Sequence, residues 1–145
     1  MKFLKMCILL SLFIAQSSWA GYKFFSSATS LTINPVAEYT SNPESGAIGA
    51  KLSLNMNEDK YFVASEYMFR GSHPVGLDLG YRAYKFENKI IKGAYLVAGI
   101  RKECSKDKNN FLKIGTRIDF KYFGVFAGAL YNSTDNSSLL IQIQI

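Results

Sequence analysis

The chain of 145 residues is poor in the residues from which catalytic and metal sites are usually built. It has one histidine, His73, and two cysteines, Cys7 and Cys104. A zinc site needs three or four such ligands, and histidine is the commonest metal ligand and general base near neutral pH. Glycine-rich phosphate loops leading into a helix are also absent. We therefore expect no metal and no cofactor.

Long apolar segments are missing too. Residues 7–15 are almost entirely apolar, but nine residues are too few for a membrane-spanning helix, which needs about 20. Two lysines precede this segment, and Ser18 and Ala20 follow it at the positions that signal peptidase reads. We predict a cleaved secretory signal over residues 1–20, with Gly21 opening the mature chain. An N-terminal membrane anchor is the alternative.

The basic charge of the chain is smaller than the formal value of +6 suggests. Removing the signal removes Lys2 and Lys5, which leaves 15 basic against 11 acidic residues and a net charge of +4. Nothing in that balance calls for a nucleic-acid partner. Of the cysteines only Cys104 remains, so an intramolecular disulfide is excluded.

What the mature chain has in quantity is alternation with period two, in runs rich in Val, Ile, Tyr and Phe. This pattern is typical of half-buried strands, and no segment shows the 3.6-residue period of a helix. Short turns follow the second, fourth and sixth runs, and polar segments (41–45, 71–73, 103–110 and 132–137) follow the others. That order predicts an up-and-down meander. We count eight runs: 30–40, 46–56, 60–70, 74–86, 90–102, 111–121, 122–131 and 138–145.

The register of these strands can be tested by parity. A two-residue turn at 88–89 puts Ala83 opposite Ala94, and one at 121–122 puts Phe120 opposite Phe123. Apolar residues then meet apolar residues on one face, and a slip of one residue would destroy that match. On this apolar face the only charges are lysines near strand ends, Lys85 and Lys92, where they could meet lipid phosphates.

The opposite face carries charges interspersed with glycines. In a narrow membrane barrel it would point inward, with the charges paired and the glycines leaving room for long Arg and Tyr side chains. The register pairs Lys51 with Glu66 and places Asp78 diagonally from Arg101. The predicted lumen ion-pair network is Glu38, Lys51, Glu66, Arg70, Asp78, Arg82, Arg101, Lys113, Arg117 and Asp119.

Aromatic residues of the apolar face fall at its two ends, as expected of residues at membrane–water interfaces. One group lies toward the short turns and the other toward the longer connectors. The predicted interfacial aromatics are Tyr61, Tyr81, Phe120 and Phe123 at the first end, and Tyr39, Phe69 and Tyr131 at the second.

From residue 30 to residue 145 these patterns resemble the small eight-stranded outer-membrane β-barrels of bacteria, of the OmpX-like, OmpA-transmembrane and attachment-protein type. Such proteins usually end in an aromatic residue, whereas this sequence ends in Ile145. Pro35 also departs from the pattern, because proline cannot donate to a strand ladder, and we expect a bulge there. We predict a signal peptide over 1–20, a periplasmic tail over 21–29 and an all-β, eight-stranded antiparallel transmembrane barrel over 30–145.

The resemblance implies a bacterial outer-membrane protein with a structural, attachment or surface-interaction role and a lumen filled by side chains. Its expected partners are outer-membrane lipid and lipopolysaccharide, together with a surface ligand at the loops, and we expect a monomer.

Some barrels of this size modify lipid A with a serine and a histidine. We expect no enzymatic activity and assign no catalytic residue. His73, beside Ser72, is the weak candidate for the alternative of a lipid A-modifying enzyme. A soluble, secreted, lipocalin-like binder of a small ligand is the further alternative.

Overall fold

The computed structural model describes residues 29–42, 44–104, 109–133 and 137–145. These residues form eight strands and no helix: β1 (Thr29–Ser41), β2 (Glu44–Met56), β3 (Tyr61–Phe69), β4 (Val75–Lys85), β5 (Ile91–Lys102), β6 (Asn110–Phe120), β7 (Gly124–Asn132) and β8 (Ser138–Gln144). Each strand pairs antiparallel with the next, and β8 pairs with β1. The prediction of a closed, eight-stranded antiparallel barrel is confirmed. The predicted signal peptide and residues 21–28 lie outside the described residues, and Thr29 belongs to β1 rather than to a tail.

The strands form where apolar and small or polar residues alternate. Along β4, exposed Leu77 and Leu79 alternate with buried Gly76, Asp78 and Gly80. Because successive strand residues point to opposite faces, this alternation sends one set outward and the other into the barrel. No helix among the described residues is long and apolar enough to cross a membrane.

The register sets the tilt of the strands. Following paired residues once around the barrel from Ser30 leads to Thr40, ten residues farther along β1. With a rise of about 3.3 Å per residue and a strand spacing of about 4.8 Å, this shift corresponds to a tilt of about 40°. At that tilt a strand of eleven residues rises about 25 Å along the barrel axis.

The barrel has two ends, defined by the connectors between strands. The short-turn end carries the connectors 57–60, 86–90 and 121–123, and the loop end carries 42–43, 70–74, 103–109 and 133–137. The prediction of a connector over 41–45 is wrong, because β1 and β2 stay paired as far as Ser41 and Glu44 and only residues 42–43 connect them. The two ends therefore differ less in connector length than the sequence pattern indicates.

The predicted pairing of Ala83 with Ala94 is also wrong. Tyr81 faces Leu96 as expected, but a bulge follows, and Tyr84 takes the position opposite Ala94. The connector is not a two-residue turn. It spans 86–90, and the Asn88 side chain accepts hydrogen bonds there from the backbone N–H groups of the two residues that precede and open β5, Ile90 and Ile91. The extra residues shift the register by one.

This bulge changes which residues form the outer wall. Lys85 now lies opposite Gly93, a lumen position, at the rim of the barrel, so it leaves the outward face on which the sequence placed it. A second irregularity at Lys92 puts Ile91 opposite Phe120. The predicted 121–122 turn is confirmed, because the Phe120 backbone N–H donates to the Phe123 carbonyl over 2.7 Å.

The expected bulge at Pro35 is absent, and β1 pairs with β2 in unbroken register through that residue. The Ile145 N–H donates to the Pro35 carbonyl over 3.1 Å, but proline has no N–H to return the second bond of this pair. The Asn34 side chain supplies it instead, donating from Nδ2 to the main-chain oxygen of Ile145 over 2.8 Å. A side-chain amide thus replaces the backbone donor where the barrel closes.

Replacing Asn34 with alanine should lower the free energy of unfolding by about 1–2 kcal/mol, because the Ile145 oxygen loses its donor. Adding Pro35→Ala to that variant restores a backbone N–H and should recover part of the loss. Urea titration of the refolded barrel measures both variants. Equal stability of the wild type and Asn34→Ala would show that the side-chain donor is unimportant.

Candidate functional site

The barrel has an inverted distribution of polarity. The side chains that fill its lumen include charged groups with an exposed fraction of 4% or less, namely Glu38, Lys51, Glu66, Asp78, Arg101, Lys113 and Arg117. Its outer wall is made of exposed large apolar side chains, among them Leu52, Leu77, Leu79, Leu96, Ile100, Leu112, Ile114, Ile118 and Leu139. Charged residues are almost never fully buried unless they are paired, so the lumen must contain their partners.

Glu66 is the centre of the buried network. It accepts hydrogen bonds from Arg101 over 2.7 Å and from Lys113 over 2.9 Å, and Lys51 Nζ lies 3.9 Å away. Asp78 accepts a hydrogen bond from Lys113 over 2.8 Å and another from Lys51. The predicted pairing of Lys51 with Glu66 is present in the register. Asp78 does lie diagonally from Arg101, but its cationic partners are the two lysines.

Arg101 instead joins Glu66 to Glu38. Its two terminal nitrogens donate to the two Glu38 oxygens over 3.2 and 2.6 Å, the bidentate arrangement that suits guanidinium and carboxylate. Gln142, which the sequence analysis missed, completes the network. It accepts from Lys113 over 2.8 Å and donates to both glutamates over 3.1 Å. Three cations and three carboxylates therefore form one connected group without net charge.

A second layer lies nearer the short-turn end. Arg117 is paired with Asp119, and its guanidinium carbon lies 4.0 Å from the ring centre of Phe62 and 4.5 Å from that of Tyr95. Such cation–π contacts are strongest where water is excluded. Arg82 faces Tyr95 in the register, as predicted, and forms no ion pair within the described residues.

The glycines of the lumen make room mainly for aromatic rings and carboxylates. A Cβ on Gly80 would lie within 2.4 Å of three atoms of the Phe62 ring, and a Cβ on Gly128 would lie 2.5 Å from the Phe126 ring. Gly76 similarly faces Glu66. The sequence analysis assigned this space to Arg and Tyr side chains, a description that fits Gly93 beside Arg82 and Tyr95.

The mouth at the loop end is bridged by Arg70 and Glu103, which form an ion pair of 2.7 Å. Arg70 also donates to Ser45 and Ser72 over 3.4 Å. The pair is partly exposed, unlike the network below it. Glu103 belongs to a charged segment whose residues 105–108 lie outside the described residues. It follows the last residue of β5, so the alternation of the strands gives no indication of its ion pair with Arg70.

His73 lies on the exposed outer side of this mouth. Its Nδ1 is 3.0 Å from the Tyr67 hydroxyl, and the two rings are stacked. The neighbouring Ser72 hydroxyl donates to Glu103 over 3.4 Å, so the serine and the histidine have separate partners. Cys104 is exposed and free. Within the described residues no cluster of His, Cys, Asp and Glu could hold a metal ion.

The aromatic residues of the outer wall form two rims. At the short-turn end Tyr61 and Tyr81 lie opposite each other, with ring centres 5.5 Å apart, and Phe120 stacks on Phe123 at 4.7 Å. Tyr84 joins this rim because of the bulge. The second rim contains Tyr39, Phe69 and Tyr131, with Tyr67 against Phe69. On β3, Tyr61 and Phe69 are eight positions apart, which corresponds to a rise of about 20 Å at the tilt derived above.

The polar side chains described in the lumen and at the mouth are engaged mainly by one another. The carboxylates of the lumen are engaged by cations, and the serine beside the single histidine is bonded to a glutamate. Comparisons with protein-family models, curated proteins and solved structures found no match to this chain.

Replacing Lys113 with methionine should destabilise the barrel by about 3–5 kcal/mol, because Glu66 and Asp78 lose a buried cation. Arg70→Gln at the mouth should cost about 1 kcal/mol or less, since Arg70 is 19% exposed. Adding Asp78→Asn to Lys113→Met should recover stability by removing a carboxylate along with its cation. Urea unfolding measures all three. A single Lys113→Met variant as stable as the wild type would contradict this account of the network.

Proposed function

We propose that this chain is an integral outer-membrane β-barrel protein with a structural, attachment or surface-interaction role. The inverted distribution of polarity carries the proposal. A largely apolar outer wall surrounds a lumen in which paired charges lie beside a buried apolar cluster, which suits a barrel whose outside solvent is hydrocarbon.

The dimensions support the same proposal. An eleven-residue strand rises about 25 Å, which matches the height of the apolar band of known outer-membrane barrels. The aromatic rims lie within this height, about 20 Å apart and near the two ends of the wall. The bulge at Ala83 moves Lys85 from the outer wall to the rim and brings Tyr84 into its place. Each of these features favours burial of the wall in a bilayer.

The soluble lipocalin-like alternative fits the distribution poorly. A monomer in water rarely exposes contiguous apolar patches larger than a few hundred Å², whereas 23 large apolar side chains are exposed among the described residues alone. A binder of a small apolar ligand also needs an apolar cavity. The space that the ligand would occupy contains the network around Glu66 instead.

The packed lumen argues against a general diffusion pore. The six side chains of the central network are each 4% exposed or less, so they leave no route for water at that level. An eight-stranded barrel encloses just enough room for such side chains. Interactions with other molecules would then occur at the two ends of the barrel. Nothing among the described residues joins Ser72 to His73 as a nucleophile to its base, so the lipid A-modifying alternative has no geometric support.

Cell fractionation tests the location. The protein is expected to remain in the outer-membrane fraction after an alkaline wash, and to run faster on a denaturing gel without heating than with it, because a folded barrel resists detergent. Recovery as a soluble monomer from the periplasm or the medium would overturn the proposal.

A substitution in the middle of the wall distinguishes lipid from water outside it. Leu79→Arg should lower the free energy of unfolding in lipid vesicles by about 2–4 kcal/mol, because a charge would face hydrocarbon at mid-height. Tyr84→Arg on the same strand should cost about 1 kcal/mol or less, since it lies at the rim. Leu79 and Tyr84 are similarly exposed, at 57% and 61%, so exposure alone predicts no difference. Unfolding in vesicles by urea measures both, and equal effects would contradict a bilayer around the wall.

A further inference from the structure

One side of the short-turn end carries a concentration of lysines. Lys85 ends β4, Lys89 and Lys92 flank the start of β5, and Lys121 follows β6. The connectors 86–90 and 121–123 are joined by a hydrogen bond of 2.8 Å from the Lys121 N–H to the Ile90 carbonyl. The four lysines therefore lie close together at this end, on the segments 85–92 and 121–123, which we call the basic rim; Glu87 is the only acid in these two segments.

The charges of the basic rim are not used within the protein. All four lysines are exposed, and none forms an ion pair within the described residues. The lumen cations Lys51, Arg101 and Lys113 contrast with them, because each of those three contacts two carboxylates. The net charge of +3 on the basic rim is thus available to an outside partner.

Apolar residues of the same connectors are unusually exposed. Ile90 is 67% and Tyr122 74% exposed, although turns in water are normally polar. Lys121 Nζ lies 4.8 Å from the centre of the Tyr122 ring. An aromatic ring beside a lysine is typical of the membrane interface, where the ring meets the acyl boundary and the ammonium reaches the headgroups.

We propose that the basic rim binds the phosphate groups of anionic phospholipids in the leaflet at the short-turn end. This inference rests on the proposed membrane location. Ammonium groups supply the charge complementarity, and Tyr84 and Tyr122 supply the apolar contact. The remaining connector of this end, 57–60, carries Glu58 and Asp59 with Lys60, a net charge of −1. The preference for anionic lipid is therefore confined to one side of the barrel.

The sequence allows a local fluorescence test because its only tryptophan, Trp19, lies in the predicted signal peptide, so the mature chain from Gly21 contains none. In that mature chain, Tyr122→Trp places a reporter on the basic rim, and Tyr61→Trp places a control beside the acidic connector. Each variant is reconstituted into phosphatidylcholine vesicles containing increasing fractions of brominated phosphatidylglycerol or brominated phosphatidylcholine. Bromine quenches tryptophan on contact, so the quenching curves give the relative affinity of the two lipids at each position.

At Tyr122→Trp we expect phosphatidylglycerol to bind at least fivefold more tightly than phosphatidylcholine, since one lysine near an anionic surface contributes about that factor. Replacing Lys85, Lys89, Lys92 and Lys121 with glutamine should bring the ratio near one, and replacing them with arginine should preserve it. At Tyr61→Trp the ratio should stay near one throughout. The heat-dependent gel shift verifies folding of each variant.

The outcomes separate this inference from the proposal beneath it. Equal quenching by both lipids at Tyr122→Trp would overturn lipid selectivity while leaving the membrane location intact. A ratio unchanged by the glutamine substitutions would also overturn it, because the lysines would then not be responsible. No quenching by either lipid would show that the barrel does not insert, and both proposals would fail.

Discussion

The pairing of buried charges inside the barrel constrains the rest of this structure. Glu66, Glu38 and Asp78 are out of contact with water, and leaving a buried carboxylate without its cation costs about 3–5 kcal/mol. Their partners come from different strands, with Arg101 on β5 and Lys113 on β6. The network can therefore form only when the strands are in register and the sheet has curved far enough to face itself.

That interior dictates what the outer wall can be. The sheet has two faces, and its inward face is occupied by paired charges, glycines and a cluster of buried apolar side chains that includes Phe62, Val97, Phe126, Leu130 and Leu140. The large hydrophobic residues on the outward face stabilise the protein only if an apolar solvent covers them. The proposed membrane location resolves this arrangement, since a bilayer provides that solvent. It also leaves only the two ends of the barrel in contact with water, where the loop-end mouth and the basic rim offer different chemistry.

Much of the fold could be predicted from period-two alternation, because strand residues must point to opposite faces. The strands, the inward position of the network residues and the turn after Phe120 follow from parity alone. Parity fails where the backbone gains an extra residue. The bulge at Ala83 and the five-residue connector 86–90 depend on local hydrogen bonds of Asn88, which alternation does not report. At Pro35 no bulge forms, and the side-chain amide of Asn34 supplies the hydrogen bond that proline cannot donate. This contact depends on where β8 ends against β1.

The sequence by itself determined that charge and apolar surface lie on opposite faces of eight strands, because that assignment needs only the order of neighbouring residues. Tertiary structure alone decided which charges meet. Asp78 binds two lysines rather than Arg101, Gln142 joins both glutamates, and Glu103 reaches Arg70 across the mouth. Gln142 and Glu38 are paired on the neighbouring strands β8 and β1, but the contacts of Asp78 with the two lysines and of Gln142 with Glu66 join strands that are not neighbours in the sheet. Their geometry depends on the shift of ten residues around the closed barrel, which results from all eight strand pairings together and is not visible in the sequence of any one strand.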